Sequence, residues 1–276
     1  MTARAASTPS RTTRAARLPA SRKADLAAFV TEQGQVTVID LAEHFGVSLD
    51  TIRRDLDELD SAGAVIRTHG GAVSTTLVPR SDTGLDVRTR LHTGAKERIG
   101  ARAAAMVTDR ASIVINGGTT TLAAVTQLRA SGLRIITNHL LLPSAVSPSV
   151  ADEIFLVGGQ VQLSAQATTG PVSSSLGVDR ASEFDVRCDL ALIGVGAISA
   201  TQGLSTGSIA EAALMRQMMQ IADRVVVLAD ASKFGRSLFA QVATFDVVDV
   251  LVTDTTPPAD VAKALTSAGV EVIVAS

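Results

Sequence analysis

Two clusters of residues in this chain have types and spacing suited to chemistry. The first is Asn116-Gly117-Gly118-Thr119-Thr120-Thr121, directly after the apolar run at residues 111–115. A strand that runs into two glycines and then a helix gathers free backbone N–H groups, hydroxyls and a helix N-terminus around one point, which outlines an anion or phosphate site. The run lacks the GKS/GKT ending of a Walker A loop and the spacing of a GxGxxG fingerprint. A tight turn with an ordinary threonine N-cap fits the same letters. The second cluster is Thr51, Arg53 and Arg54, near the start of an amphipathic segment that follows Gly46 and Ser48. Two helices joined by a tight glycine-containing turn, with cations near the N-terminus of the second, meet the demand of a helix-turn-helix, whose second helix enters the major groove by that end. The same arginines could instead pair with Asp50, Asp57 and Glu58 on a solvated helix face. Spacing alone leaves both pairs of readings open.

The elements that must position the second cluster are short helices. Leu26, Phe29 and Val30 recur at helical spacing over residues 22–32, with Ser21 before them and Gly34 after. Thr37 is a good N-cap for a helix over 38–45 that stops at Gly46. Ser48 caps a third over 49–62, with Ile52, Leu56 and Leu59 on one side, Arg53 and Arg54 towards the other, and Gly63 at its close. Residues 65–73, with Arg67, His69 and Gly70-Gly71, read as a hairpin wing or as a solvated linker. Residues 74–85 are polar and turn-forming, and read as a linker.

Beyond them the period changes. Strands over 111–115, 133–137, 153–157, 189–195, 224–229, 249–253 and 271–275 alternate with helices over 96–107, 119–129, 141–151, 209–222 and 257–268. Short β-branched runs alternating with helices predict an α/β unit built on a mainly parallel sheet covered on both faces. Ligands in such sheets collect beyond the carboxyl ends of strands. Thr137-Asn138-His139, Gly158-Gly159, Gly170-Pro171 opening a helix after a polar loop, and Asp230-Ala231-Ser232-Lys233 all lie at such ends. Lys233 can neutralise a phosphate there or stand exposed without a contact, and His139 is expected to be a surface or hydrogen-bonded histidine.

Composition narrows the classes. The 276 residues suit two domains, and 46% hydrophobic against 19% charged residues suits a soluble globular chain. No apolar run nears the roughly 18 residues of a membrane helix. One cysteine, Cys188, excludes an intrachain disulfide, and four histidines without HxxxH spacing make a metal-free, intracellular protein the expectation. The net charge of −2 hides an uneven distribution. Arg4, Arg11, Arg14, Arg17, Arg22 and Lys23 occur with no acid before Asp25, which reads as a basic, disordered arm. The arm's composition also fits a transit peptide, though not a secretory signal.

The stretch VTVIDLAEHFGVSLDTIRRDLDELDSAGAVIRTHGGAV, residues 36–73, resembles the N-terminal winged helix-turn-helix of the DeoR family of bacterial transcriptional regulators, with TIRRDL and RTHGGA its most specific runs. The resemblance implies that Ser48, Thr51, Arg53 and Arg54 contact operator DNA, with Thr37, Arg67 and His69 as weaker carry-overs. It continues in order to about residue 254 through GGTTT, TN, GG, GP, DASKFGR and VTD. It therefore implies an effector domain similar in fold to ribose-5-phosphate isomerase and the CoA-transferase superfamily, sensing phosphorylated sugars or other small phosphorylated metabolites. The implied pocket comprises Asn116, Gly118, Thr119, Thr120, Asn138, Gly158, Gly159, Gly170, Glu211 and Lys233. Three departures point to altered pocket chemistry: Asn116 where the family usually has aspartate, Met215 where lysine is usual, and Ala197 where glycine is usual.

The expected organisation is a disordered basic arm at 1–20, a winged helix-turn-helix at 21–73, a linker at 74–85 and an α/β effector-sensing domain at 86–276. The expected protein is a cytoplasmic homodimer or homotetramer that represses a carbohydrate or related metabolic operon and leaves double-stranded operator DNA when a phosphorylated effector binds. No catalytic residue, cofactor or metal is required. The alternative is an isomerase- or transferase-like enzyme tethered to a DNA-binding domain. That would need a carboxylate base beside the phosphate loop; Asn116 cannot serve, and Glu211 and Asp230 are the obvious substitutes.

Overall fold

Apolar residues spaced three and four apart at the start of the chain form three helices: α1 (Pro19–Gln33), α2 (Val38–Phe45) and α3 (Leu49–Ser61). The computed structural model describes residues 19–61, 64–68, 70–74, 85–172 and 186–276. The chain divides into two units, one to Leu77 and one from Val78. In the first, Leu26, Val30, Leu41, Ile52 and Leu56 are fully buried against a small antiparallel sheet of β1 (Gln35–Thr37), β2 (Val65–Thr68) and β3 (Gly71–Ser74), in the order β1-β3-β2. Thr37 and Asp40 form a reciprocal cap on α2: the Asp40 N–H donates to Thr37 Oγ1 at 3.2 Å, and that hydroxyl donates to Asp40 Oδ2 at 2.7 Å. Gly46 ends α2 in the left-handed conformation, at φ 66°. Ser48 Oγ accepts from the Thr51 N–H at 3.2 Å and so starts α3.

Arg22 and Lys23 lie in α1, within the helix expected over 22–32, and Pro19 and Ala20, expected in the arm, open that helix. The Arg22 guanidinium grips Asp55 of α3 through Nε at 2.6 Å and a terminal nitrogen at 3.1 Å, and Lys23 pairs with Glu58. Opposite charge on α3 draws both cations into the helix packing. Residues 1–18, together with Gly63 and His69, lie outside the described residues.

The second unit is built on seven parallel strands: β4 (Ser112–Ile115), β5 (Leu133–Thr137), β6 (Ala151–Leu156), β9 (Leu190–Gly194), β12 (Val225–Leu228), β14 (Val250–Thr253) and β15 (Glu271–Val274), ordered β15-β14-β12-β9-β4-β5-β6. Strand side chains alternate between two cores. Ile113, Ile115, Leu192 and Val226 pack with α5 (Thr93–Ala104) and α6 (Thr119–Val125). Val114, Ile193, Val227 and Leu251 pack with α8 (Ile209–Gln220) and α9 (Ala259–Ser267) on the other face. Burial on both faces is why the inner strands β4, β9, β12 and β14 read as continuous apolar runs.

Several elements differ from expectation. The helix expected over 141–151 shrinks to α7 (Leu142–Ala145), because Pro148 disfavours helical backbone at Ser147, and β6 begins at residue 151. The helix expected over 119–129 ends at Val125, where hydrogen bonds tighten to three-residue spacing (Gln127 N–H to Ala124 O, Leu128 N–H to Val125 O). Leu85, the expected end of the linker, opens a short helix α4 (Leu85–Arg90). The expected polar loop before Gly170 holds a hairpin, β7 (Gln160–Gln162) with β8 (Ala167–Thr169). A second small sheet joins β10 (Ala197–Ser199), β11 (Gly203–Thr206) and β13 (Ala240–Ala243); strands this short carry too little periodicity to be read.

The Arg22–Asp55 fork generates a prediction. Arg22→Ala leaves a buried carboxylate without its cation and should destabilise the first unit by about 1–3 kcal/mol. Urea unfolding of the full chain, followed by helical circular dichroism, should show an earlier first transition.

Candidate functional site

From β4 the chain runs outward through β5 and β6, then returns to place β9 on the opposite side of β4. This reversal leaves a crevice beyond the carboxyl ends of β4 and β9, the place where open parallel sheets bind ligands. A cavity of about 360 Å³ opens there, within the size range of small-molecule sites. Its wall is assembled from residues 117–120 after β4, 194–196 after β9, 206–208 before α8, Asp230, Ser232 and Lys233 after β12, and Arg88, His92 and Lys96 from α4, α5 and the turn between them.

Cations dominate this wall. The Lys96 ammonium donates to the carbonyls of Arg88 and Leu91, the latter at 2.5 Å, and so closes the C-terminal end of α4. Burial pushes the Asp230 carboxyl up, but Lys233, a hydrogen bond from Ser232, His92 and Lys96 together outweigh it and hold the group below its ordinary value. Thr206 Oγ1 donates to the Glu211 carboxylate, and Ser208 caps α8, accepting from the Glu211 N–H at 3.4 Å. The N-termini of α6 and α8 both border the cavity. Such a wall can hold an oxyanion. Among the described residues, no group of three or more His, Cys, Asp or Glu side chains is placed to hold a metal ion. Burial pushes the Cys188 thiol up to about 11, which makes it a poor nucleophile.

Of the ten residues expected at the pocket, Gly118, Thr119, Thr120, Glu211 and Lys233 line the cavity. The other five lie outside its wall and shape the surrounding backbone. Asn116 is buried, and its amide donates to Gly194 O and accepts from the Gly194 N–H, both at 2.8 Å. Asn138, also buried, accepts from the Gly117 N–H at 2.7 Å and donates to Thr168 O at 2.7 Å. Gly158, Gly159 and Gly170 allow two chain segments to cross in contact. Gly159 adopts φ 120°, and a Cβ on it would meet Thr169 O at 2.3 Å, while one on Gly170 would meet Gly158 O at 2.4 Å. The Asn116 and Asn138 amides and the close approaches of Gly159 and Gly170 join segments of the protein to one another. Of the three departures, Met215 is buried in the core that packs α8, and Ala197 is buried in β10.

Arg88, His92 and Lys96 were missed because they precede β4 and belong to no loop motif. Their spacing of four residues was the available signal. The helical face it implies is broken at His92, whose φ of 55° separates α4 from α5.

In the first unit, Ser48 and Thr51 share a hydroxyl hydrogen bond of 2.9 Å at the N-terminus of α3. Arg53 is exposed and pairs with Asp50 at 3.2 Å. Arg54 is exposed and makes no ion pair among the described residues. Arg67 pairs with Asp57 of α3, and its N–H donates to Asp60 at 2.9 Å, so much of its donor capacity is used in holding the hairpin to the helix. The hydroxyl of Thr37 is spent on its cap.

Residues 22–77 match the DeoR-like helix-turn-helix domain, and residues 91–255 match the DeoR C terminal sensor domain. The chain is 33% identical to the HTH-type transcriptional regulator GlpR of Haloferax volcanii, over 93% of this chain and 98% of that protein. It is 32% identical to the glycerol-3-phosphate regulon repressor of Escherichia coli K12, over 86% and 91% respectively. Among solved structures, ribose 5-phosphate isomerase from Plasmodium falciparum overlaps 51% of this chain and 52% of its own, with a TM-score of 0.34 and 12% identity. That overlap concerns fold alone.

His139, next to the site, gives a pH prediction. It is fully buried, its Nδ1 accepts from the Leu141 N–H at 3.2 Å, and burial, then the Arg88 charge, hold its pKa below the ordinary value. The unfolded imidazole titrates near pH 6.5. Between that value and the lower folded one, the unfolded chain binds a proton that the folded chain does not, so stability falls as pH falls. Thermal melts between about pH 7 and 5 should show a steeper loss for the wild type than for His139→Asn, which keeps an acceptor near Nδ1 and cannot take up the proton. Parallel pH profiles would assign the loss to other groups.

Proposed function

This chain belongs to the DeoR family, and from that premise we propose that it is a repressor of a carbohydrate or related metabolic operon, released from its operator by a small phosphorylated metabolite. The observation that carries the reading is the cavity at the strand-order reversal, where a glycine-threonine turn and two helix N-termini face Lys233, Lys96, His92 and Arg88. A phosphate meets N–H donors on one side and fixed cations on the other. The name of the E. coli relative, a glycerol-3-phosphate regulon repressor, supports a phosphorylated effector of small size. In this reading Gly118, Thr119, Thr120, Glu211 and Lys233 touch the effector, while Asn116, Asn138, Gly158, Gly159 and Gly170 fix the backbone around them.

The operator is read by the N-terminal turn of α3. Arg54 is available for a base edge or phosphate, and Arg53 can exchange its exposed partner Asp50 for DNA at little cost. Ser48 and Thr51 offer hydroxyls at the same end. Thr37, Arg67 and His69 flank the contact. A single recognition helix reads few base pairs, which supports a homodimer or homotetramer on a paired operator. The domain limits 1–20, 21–73, 74–85 and 86–276 belong to the same proposal, as does a cytoplasmic location; no helix among the described residues is long and apolar enough to cross a membrane. Binding without catalysis is supported by the engagement of both cavity carboxylates. Asp230 is held below its ordinary value by the cations around it, so it is not poised as a general base of raised pKa, and Glu211 is engaged by the Thr206 hydroxyl.

A thermal-shift screen of the full chain against triose, pentose and hexose phosphates tests the effector reading; failure of every phosphorylated compound to raise the melting temperature would refute it. For the DNA contact, Arg54→Ala should weaken operator binding by about 1–3 kcal/mol in gel-shift titrations if a base edge is read, whereas an equal loss on every duplex would indicate a phosphate contact. Lys233→Ala should weaken effector binding measured by calorimetry by about 1.5–3 kcal/mol, and an unchanged isotherm would remove Lys233 from the site.

A further inference from the structure

The short helix α4 is held by groups that line the cavity. At its start the Leu85 N–H donates to Ser164 O at 2.8 Å, and Ser164 lies on the cavity wall. At its end the carbonyls of Arg88 and Leu91 accept from Lys96, another wall residue. Between these ties the Arg88 side chain, also on the wall, is attracted by Glu211. The donors of the cavity cations are not equally committed. Lys96 is directed at two carbonyls, and Lys233 stands against Asp230. Arg88 Nε is buried and has no hydrogen-bond partner, a desolvated donor whose cost is uncompensated. Burial lowers the Arg88 pKa from its ordinary value, with Glu211 opposing, yet a guanidinium stays charged in this setting. The charge also reaches the turn after β4: it acts on His139, which is buried beside the Gly118 backbone.

An oxyanion at that turn would have the first N–H groups of α6 on one side and the Arg88 fork on the other. We propose that Arg88 takes the effector's phosphate and thereby reports its arrival: the guanidinium, whose Nε has no partner, turns to the phosphate, and α4, which carries it, shifts on its ties to Ser164 and Lys96. The inference rests on the reading of the cavity as an effector site. In sequence, α4 is the first described element after the last strand of the first unit. The phosphate contact exists only with effector bound, which supplies the difference in affinity between two states that allostery requires. A planar fork suits this task better than an ammonium because it can grip two phosphate oxygens at once.

The test uses full-length wild type, Arg88→Gln and Arg88→Lys, with inorganic phosphate and a panel of triose, pentose and hexose phosphates as probes. Binding is read by thermal shift and calorimetry, and release by gel shift on a duplex selected from a random pool by the wild-type chain. Arg88→Gln should weaken binding of the best probe about 10- to 100-fold. Arg88→Lys, which keeps the charge and the fold should the glutamine variant not fold, should recover part of the binding while its loss in operator release exceeds its loss in binding. Wild-type affinity in both variants would overturn the assignment of Arg88 while leaving the effector reading intact. Equal losses of binding and release in both would overturn the transmission through α4. No response of the wild type to any phosphorylated probe would overturn the effector reading and this inference with it.

Discussion

The Asn116 amide joins the ends of β4 and β9 where the strand order reverses. By donating to Gly194 O and accepting from the Gly194 N–H, each at 2.8 Å, it continues the ladder for one step beyond the last paired residues. The two strand ends are thereby fixed relative to each other at the point where the chain turns away in opposite directions. Only a group with both a donor and an acceptor can do this. An ionised aspartate, usual at this place in the family, could accept from the N–H but could not donate to the carbonyl. The amide at Asn116 thus bears on how the strand ends beneath the cavity are held.

The wall of the cavity follows from that floor. Gly117 is held by Asn138, which in turn is tied to β8 through Thr168, so the turn before α6 and the β7–β8 hairpin are positioned by the same buried amide. With Lys233 following β12 and α4, α5 and the turn between them adding Arg88, His92 and Lys96, basic side chains converge from two separate parts of the chain. A net charge of −2 for the chain gives no hint of it, since the sum is indifferent to where the folded chain gathers its cations.

The DNA-binding unit shows the complementary economy of a small domain. Its core is narrow, and charged side chains supplement it: Arg22 to Asp55 and Lys23 to Glu58 brace α1 against α3, while Arg67 to Asp57 braces the hairpin. The bracing arginines come from α1 and β2 and reach acids of α3, while the arginines of α3 itself are turned outward. Asp55 faces inward and is buried, whereas Arg53 and Arg54 face solvent.

The sequence by itself determined the helices of the first unit, because Thr37, Gly46 and Ser48 are local signals that act within a turn of the residues they cap. It also determined the inner strands β4, β9, β12 and β14 of the parallel sheet, whose burial on both faces demands an apolar run. The turn from Gly117 to Thr120 was legible for the same reason. The short strands at 160–169 and 197–206 were not, since three or four residues carry no usable period, and neither was the early end of α7, set by Pro148. Which residues face the cavity was decided only by the tertiary structure. Asn116, Asn138, Gly158, Gly159 and Gly170 sit in motifs that look like contacts, yet their hydrogen bonds and close approaches join segments that are distant in sequence. Arg88 and Lys96 carry no motif, and the fold brings them to the cavity because α4 and α5 pack beside the carboxyl end of a sheet whose strand order the linear chain does not spell out.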